Sequence, residues 1–206
     1  MIKKLQALKA KKGFTLVELV VVIAIIGVLA AILVPTMLGV VEDSRITSAN
    51  QLATNIKNRV TEFFGKMDSI KASYTNTAEL EIQIKATDGV WTYVTAAPAK
   101  TLWLDQKDHW GTTADAKNEV KNKDTELISY IADTTSDMKN AYVKVIVGKN
   151  CKVLGVVAVE GTNIAPKTMP ASTNFTSGKW NGWKGKAGVI EGNIIVGTAP
   201  VLVSGS

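Results

Sequence analysis

The sequence predicts an α+β protein in which one long N-terminal helix, with a transmembrane half and an amphipathic half, packs on a globular head built around an antiparallel β-sheet. Three observations carry this. Leu19 to Val34 is an unbroken apolar stretch of sixteen residues. Apolar residues then recur at steps of three and four as far as Met67, the spacing of one helix face. Beyond Asp68 the texture changes to short β-prone segments with turn residues between them. A single long helix followed by a run of strands is the α+β pattern.

The first element is a basic leader, residues 1–13. The whole chain of 206 residues carries Lys+Arg 24 against Asp+Glu 18, a formal +6. Lys3, Lys4, Lys9, Lys11 and Lys12 supply five of those charges and no acid accompanies them, so the remaining 193 residues are close to neutral. Basicity that would otherwise point to nucleic acid is here a topological signal, which holds the leader on the cytoplasmic side of a membrane.

Residues 14–41 follow as the apolar element, in which Glu18 is the one ionisable side chain. Leu19 to Val41 as a helix measures about 34 Å, enough for a hydrocarbon core of about 30 Å. A cleaved secretory signal has a shorter apolar region, a small-residue cleavage site after it and no acid near its start. Here the run is long, Pro35 stands near its end and Glu18 near its beginning, so the span is expected to stay with the protein. An intramembrane carboxylate costs about 2.5–3.5 kcal/mol on insertion scales, so Glu18 calls for a partner.

Residues 42–67 continue the helix as an amphipathic half. Ile46, Ala49, Leu52, Ala53, Ile56, Val60, Phe63, Phe64 and Met67 form one stripe, with Lys57, Arg59, Glu62 and Lys66 mostly elsewhere. A heptad coiled coil fits less well, because the preceding run has no a/d pattern.

Residues 68–206 form the head. Leu80 to Lys85 alternates, Asp88-Gly89 is a hairpin turn signal, and Val90 to Thr95 is β-branched and aromatic. Leu127 to Ile131 is a short helix within a mixed-charge region. Ala141 to Val147 and Lys152 to Glu160 form a hairpin around Gly148-Lys149-Asn150, and Val189 to Val196 and Val201 to Val203 are closing strands.

The residues at the start of the chain resemble a known family. Lys11-Lys12-Gly13-Phe14-Thr15-Leu16-Val17-Glu18 followed by the apolar run is similar to the class III leader and N-terminal helix of type IV pilins and of the pseudopilins of type II secretion. The resemblance covers about the first third of the chain and implies the pilin fold. It also implies cleavage between Gly13 and Phe14 by a prepilin peptidase, N-methylation of Phe14, and extraction from the membrane by an assembly ATPase and its inner-membrane platform. The product is a helical homo-oligomer on the cell surface, used for adhesion or motility. Glu18 then meets the new amine of Phe14 on a neighbouring subunit, so that two groups costly to bury alone offset one another. Gly27 and Pro35 stand where the family commonly has Gly and Pro. They bracket a weak stretch of helix, because Pro35 lacks a donor and Gly27 lowers helix stability, and in the family such a stretch loses order in the filament.

Other chemistry is scarce. His109 is the single His and lies beside Trp110 in a mixed-charge loop. No nucleophile elbow, zinc motif or phosphate loop is present, so no catalytic residue is assigned, the chain reads as a non-enzyme, and no cofactor is expected. Cys151 is the single Cys and cannot form the C-terminal disulfide loop of many Gram-negative pilins, a departure that points to Gram-positive-type pilins or pseudopilins. Glu191 is the one acid between Gly161 and Ser206, too few hard ligands for the calcium site of major pseudopilins, so no metal is expected. Asn174-Phe175-Thr176 matches a glycosylation sequon.

Lys179-Trp180-Asn181-Gly182-Trp183-Lys184-Gly185-Lys186 admits two readings. Trp180 and Trp183 with Lys179, Lys184 and Lys186 form a surface that stacks on bases or sugars and contacts phosphates, or the tryptophans pack a glycine-rich turn while the lysines are solvated. The function expected from these observations is a structural pilus subunit. The alternatives are a pseudopilin of a type II secretion or DNA-uptake system and a membrane-tethered module that binds polysaccharide or DNA.

Overall fold

A computed structural model describes residues 14–69, 79–94, 123–136, 138–148, 152–161 and 168–205. The chain divides into two compact units, Met1–Asp43 and Ser44–Ser206. Helix α1 covers Leu16–Ser69 and contributes to both.

Within the second unit, β1 (Leu80–Thr87), β2 (Val90–Tyr93), β3 (Ala141–Val147), β4 (Val153–Glu160), β6 (Val189–Ile190) and β7 (Ile194–Ala199) form a six-stranded sheet in the order β2-β1-β3-β4-β7-β6. Every pairing in it is antiparallel. The β1–β2 turn is the expected one: Thr87 pairs with Val90, while Asp88 and Gly89 take φ of 52° and 83°, the left-handed pair that a tight hairpin requires. Helix α2 spans Lys123–Thr134 and is longer than the Leu127–Ile131 expected.

The helix stripe lands where its spacing places it. Ala53, Ile56, Val60, Phe63 and Phe64 are buried against Ile82, Ile84, Val143, Val145 and Val156 of the sheet, and Leu127 and Ile131 of α2 join the same core. The Phe63 ring meets Tyr130 edge to face, with centroids 5.6 Å apart. Lys66 donates to the Tyr130 hydroxyl and to Glu62, the latter at 3.0 Å. These contacts raise the Lys66 pKa, the bond to Tyr130 foremost, and lower that of Glu62, the bond from Lys66 foremost. The side chain of Met67, at the end of the stripe, lies outside the described residues.

β3 is buried at every position, because the opposite face of the sheet is covered too. Tyr142, Ile146, Val157 and Val159 pack there against Phe175 of α3 (Ser172–Ser177), Trp180 and Leu202. Gly155 on β4 makes room for that cover, since a Cβ there meets the Phe175 ring at 2.3 Å. On the same face Lys144, with only 8% of its side chain exposed, donates to Glu81 Oε1 at 2.7 Å. A buried ammonium needs such a partner.

Two expectations for the closing strands are corrected. Val189 to Val196 is not one strand: it folds back on itself, and Ile190 pairs with Ile194 across Glu191-Gly192-Asn193. Gly192 (φ 86°) and Asn193 (φ 57°) supply the left-handed backbone that reverses the chain. Of Val201 to Val203 only Val203 is in a strand, β8 (Val203–Ser204), and it does not close the main sheet. It pairs in parallel with β5 (Lys179–Trp180) in a separate two-stranded sheet. Pro200 has no N–H to extend the β7 ladder, so the chain leaves the sheet there. Lys149, Asn150 and Cys151 of the β3–β4 connection, Thr95 and His109 lie outside the described residues.

Candidate functional site

The candidate site begins at the first turn of α1. Thr15 precedes the helix, and Glu18 is its third residue. The Thr15 amide and Thr15 Oγ1 both donate to Glu18 Oε2, at 2.9 and 2.8 Å, while the Glu18 amide donates to Thr15 Oγ1 at 3.2 Å. This is a capping box. Threonine and glutamate three residues apart satisfy each other's backbone donors where the helix itself cannot. Glu18 Oε1 takes no hydrogen bond among the described residues. The sequence carried this signal in the Thr-x-x-Glu spacing before an apolar run, so Thr15 joins Glu18 as a site residue. Phe14 is 84% exposed ahead of the cap. Gly13 lies outside the described residues.

Around Gly27 the helix surface is open, with nothing within 4 Å of a side chain added there. Helix α1 continues through Pro35. Thr36 Oγ1 donates to Leu33 O at 2.9 Å and to Ile32 O at 3.4 Å, which gives the carbonyls beside the missing proline donor a second partner. Leu16, Val28, Ile32, Met37 and Leu38 are each more than 60% exposed. By length and composition this helix is able to cross a membrane.

In the head, Trp180 is 7% exposed and belongs to the second core, whereas Trp183 is half-buried and meets it edge to face at 4.6 Å. Gly182 is required by this packing, because a Cβ there lies 2.3 Å from the Trp180 ring. Lys179, Lys184 and Lys186 are exposed. The Lys184 amide donates to Val189 O and the Val189 amide to Lys186 O, so the two lysines flank a tight turn. The Asn174 side chain of the sequon accepts from the Ala171 amide at 2.9 Å and donates to Lys179 O at 3.0 Å, acting as a strut between α3 and β5. Among the described residues no group of three or more His, Cys, Asp or Glu is placed to hold a metal ion.

A capped, apolar N-terminal helix whose amphipathic end packs on an antiparallel sheet defines a class of membrane-anchored α+β proteins, and the comparisons narrow it. Residues 8–34 match the prokaryotic N-terminal methylation motif. Residues 46–203 match the family described as Domain of unknown function (DUF5021), and the chain belongs to that family. The N-terminal segment is homologous to type IV pilins and fimbrial proteins. It is 46% identical over 56 residues to fimbrial protein EcpC of Eikenella corrodens, covering 27% of this chain and 37% of that protein. It is 43% identical over 54 residues to type IV major pilin protein PilE1 of Neisseria gonorrhoeae, covering 26% and 33%. A fimbrial protein of Moraxella nonliquefaciens is 43% identical over 53 residues, covering 26% and 34%. The chain thus matches about a third of the length of these relatives. No solved structure matches it.

Proposed function

We propose that this chain is the precursor of a type IV pilus structural subunit, cut between Gly13 and Phe14 by a prepilin peptidase, methylated at Phe14 and polymerised into a surface filament. The observation that carries the reading is the methylation motif over residues 8–34, coinciding with the Thr15–Glu18 cap at the head of the apolar helix. Before cleavage the cap holds one oxygen of Glu18 within its own chain. After cleavage the other oxygen is open to the Phe14 ammonium of a neighbouring copy. Apolar helices attract one another without direction, so one pair of opposite charges is enough to set their axial register.

On this reading the work is assembly rather than catalysis. The precursor sits in the cytoplasmic membrane with its leader inside and its head outside, and an assembly ATPase with its platform lifts it into the filament. We assign Trp180 and Trp183 to packing. The buried Trp180 ring offers no face to a base or sugar.

Mass mapping of material sheared from cells tests this directly. The expected result is a methylated peptide that begins at Phe14, together with loss of surface filaments in Glu18→Ala while cleavage after Gly13 continues. Filaments that persist in Glu18→Ala overturn the register role, and a surface peptide that retains residues 1–13 overturns the processing.

A further inference from the structure

Asp88-Gly89 and Asn181-Gly182 are both pairs in which a side-chain carbonyl carbon stands next to the backbone nitrogen of a glycine. Such a nitrogen can attack that carbon and close a five-membered ring, because glycine puts no Cβ in the way. The attack needs an amide that is not already engaged, and the fold treats the two pairs differently in this respect.

The Gly89 amide is engaged. It donates to Lys139 O at 2.7 Å, the Asp88 amide donates to Asn140 Oδ1 at 3.3 Å, and both residues are held at left-handed φ in the β1–β2 turn. Reaction there waits on local opening of the turn. The Gly182 amide donates no hydrogen bond among the described residues, and the Asn181 carboxamide makes none. Asn181 is exposed, and its Oδ1 rests against the backbone of Gly205, where an added Cβ comes within 1.7 Å of it. The bend cannot exchange its glycine for a less reactive neighbour, because a Cβ at position 182 lies 2.3 Å from the Trp180 ring.

We propose that Asn181 is a site of spontaneous covalent modification in the folded protein, through a succinimide closed by the Gly182 amide. The Gly182 nitrogen bonds to Asn181 Cγ, and the carboxamide nitrogen leaves as ammonia with the proton that the amide gives up. Water then opens the ring. Cleavage of the new bond leaves an aspartate at position 181, and cleavage of the original peptide bond leaves an isoaspartate, with the chain routed through the side chain. Water is the one co-reactant, and nothing is oxidised or reduced. Either product places a carboxylate between the exposed Lys179 and Lys184. The isoaspartate also lengthens the backbone beside Trp180, whose carbonyl accepts from the Gly205 amide at 3.2 Å, and so loosens the end of the β5–β8 pairing.

Peptide mapping of the detergent-solubilised full chain carrying Asp88→Asn tests this, because that chain holds two Asn-Gly pairs of equal chemistry and asparagine suits the left-handed turn position. The chain is held in mildly alkaline buffer and digested at acid pH to stop the reaction. While it is folded, the peptide containing residue 181 is expected to gain the mass difference between water and ammonia and to split into two chromatographic forms, and the peptide containing residue 88 to keep its mass. In urea the two are expected to convert at similar rates. Asn181→Gln, which would need a six-membered ring, is expected to lose the change at position 181. An unaltered residue 181 in the folded chain overturns the proposal, as does conversion at residue 88 that keeps pace with it. A difference between the two sites that survives in urea overturns the role given to the fold.

Discussion

Asn50 and Thr198 lie 148 residues apart and are joined by a 2.8 Å hydrogen bond from the Thr198 amide to Asn50 Oδ1. Thr198 is 1% exposed, and its own Oγ1 accepts from the Leu202 amide at 3.0 Å, so one asparagine on α1 anchors β7 and the segment beyond it. The approach is close because Gly197 has no side chain: a Cβ there lies 1.9 Å from the Ala49 carbonyl oxygen.

Asn50→Leu is expected to destabilise the head by about 1–3 kcal/mol, because the Thr198 amide is left buried and unpaired. Urea unfolding of the detergent-solubilised full chain measures this. An unchanged midpoint would show that the amide finds another acceptor.

Gly197→Ala and Gly155→Ala separate backbone from side-chain crowding. At Gly197 the obstacle is the Ala49 carbonyl, which cannot rotate away, so a loss of about 3 kcal/mol or more is expected. At Gly155 it is the Phe175 ring, which can shift, and about 1–3 kcal/mol is expected. The same unfolding measurement ranks the two; equal losses would contradict the distinction.

Thr15→Val removes the hydroxyl from the cap and leaves only the Thr15 amide bonded to Glu18, whereas Thr15→Ser keeps all three bonds. Loss of about 1 kcal/mol at a cap corresponds to amide exchange about five-fold faster in the first turn. Exchange at residues 16–18 in detergent micelles is expected to rise in Thr15→Val and not in Thr15→Ser.

Tyr142 is wholly buried, and its hydroxyl has no partner among the described residues. Burial, with the negative charge of Glu81 second, pushes its pKa well above the usual tyrosine value. Above about pH 10 the unfolded chain releases this proton while the folded head keeps it. The stability tied to the protonated phenol is therefore complete below that pH and is lost as pH rises toward the folded pKa. Tyr142→Phe is expected to leave stability at pH 7 within about 1 kcal/mol or raise it, and to flatten the alkaline fall. Stability followed from pH 8 to pH 11 reads both, and an unchanged alkaline slope would assign the loss to other groups.

Packing of the tryptophans has its own signature. Trp180→Ala is expected to cost about 3–5 kcal/mol and to reduce filament number through loss of folded subunit. Combined Lys179→Ala, Lys184→Ala and Lys186→Ala leaves filament number unchanged. Stable Trp180→Ala filaments with reduced binding to polysaccharide or DNA would return the segment to a ligand-binding role.

Much of this architecture was legible in the residues because it depends on periodicity and on turns, which are local. Ile46 to Phe64 announced the buried stripe, and Asp88-Gly89 announced a hairpin that two left-handed residues then formed. The Thr15–Glu18 cap was equally legible, since its partners are three residues apart. Val189 to Val196 was harder. Its apolar texture reads as one strand, and only the left-handed backbone at Gly192 and Asn193 turns it into two.

By itself the sequence determined the apolar helix and the amphipathic stripe, because each rests on hydrophobicity repeated over neighbouring residues. Tertiary structure alone decided that β3 is covered on both faces, that Trp180 is a core residue, that β8 pairs in parallel with β5, and that Asn50 holds Thr198. Those outcomes depend on which distant segments share a volume. Close packing answers that question through side-chain shape, as when Gly155 admits Phe175 and Gly197 admits the Ala49 carbonyl.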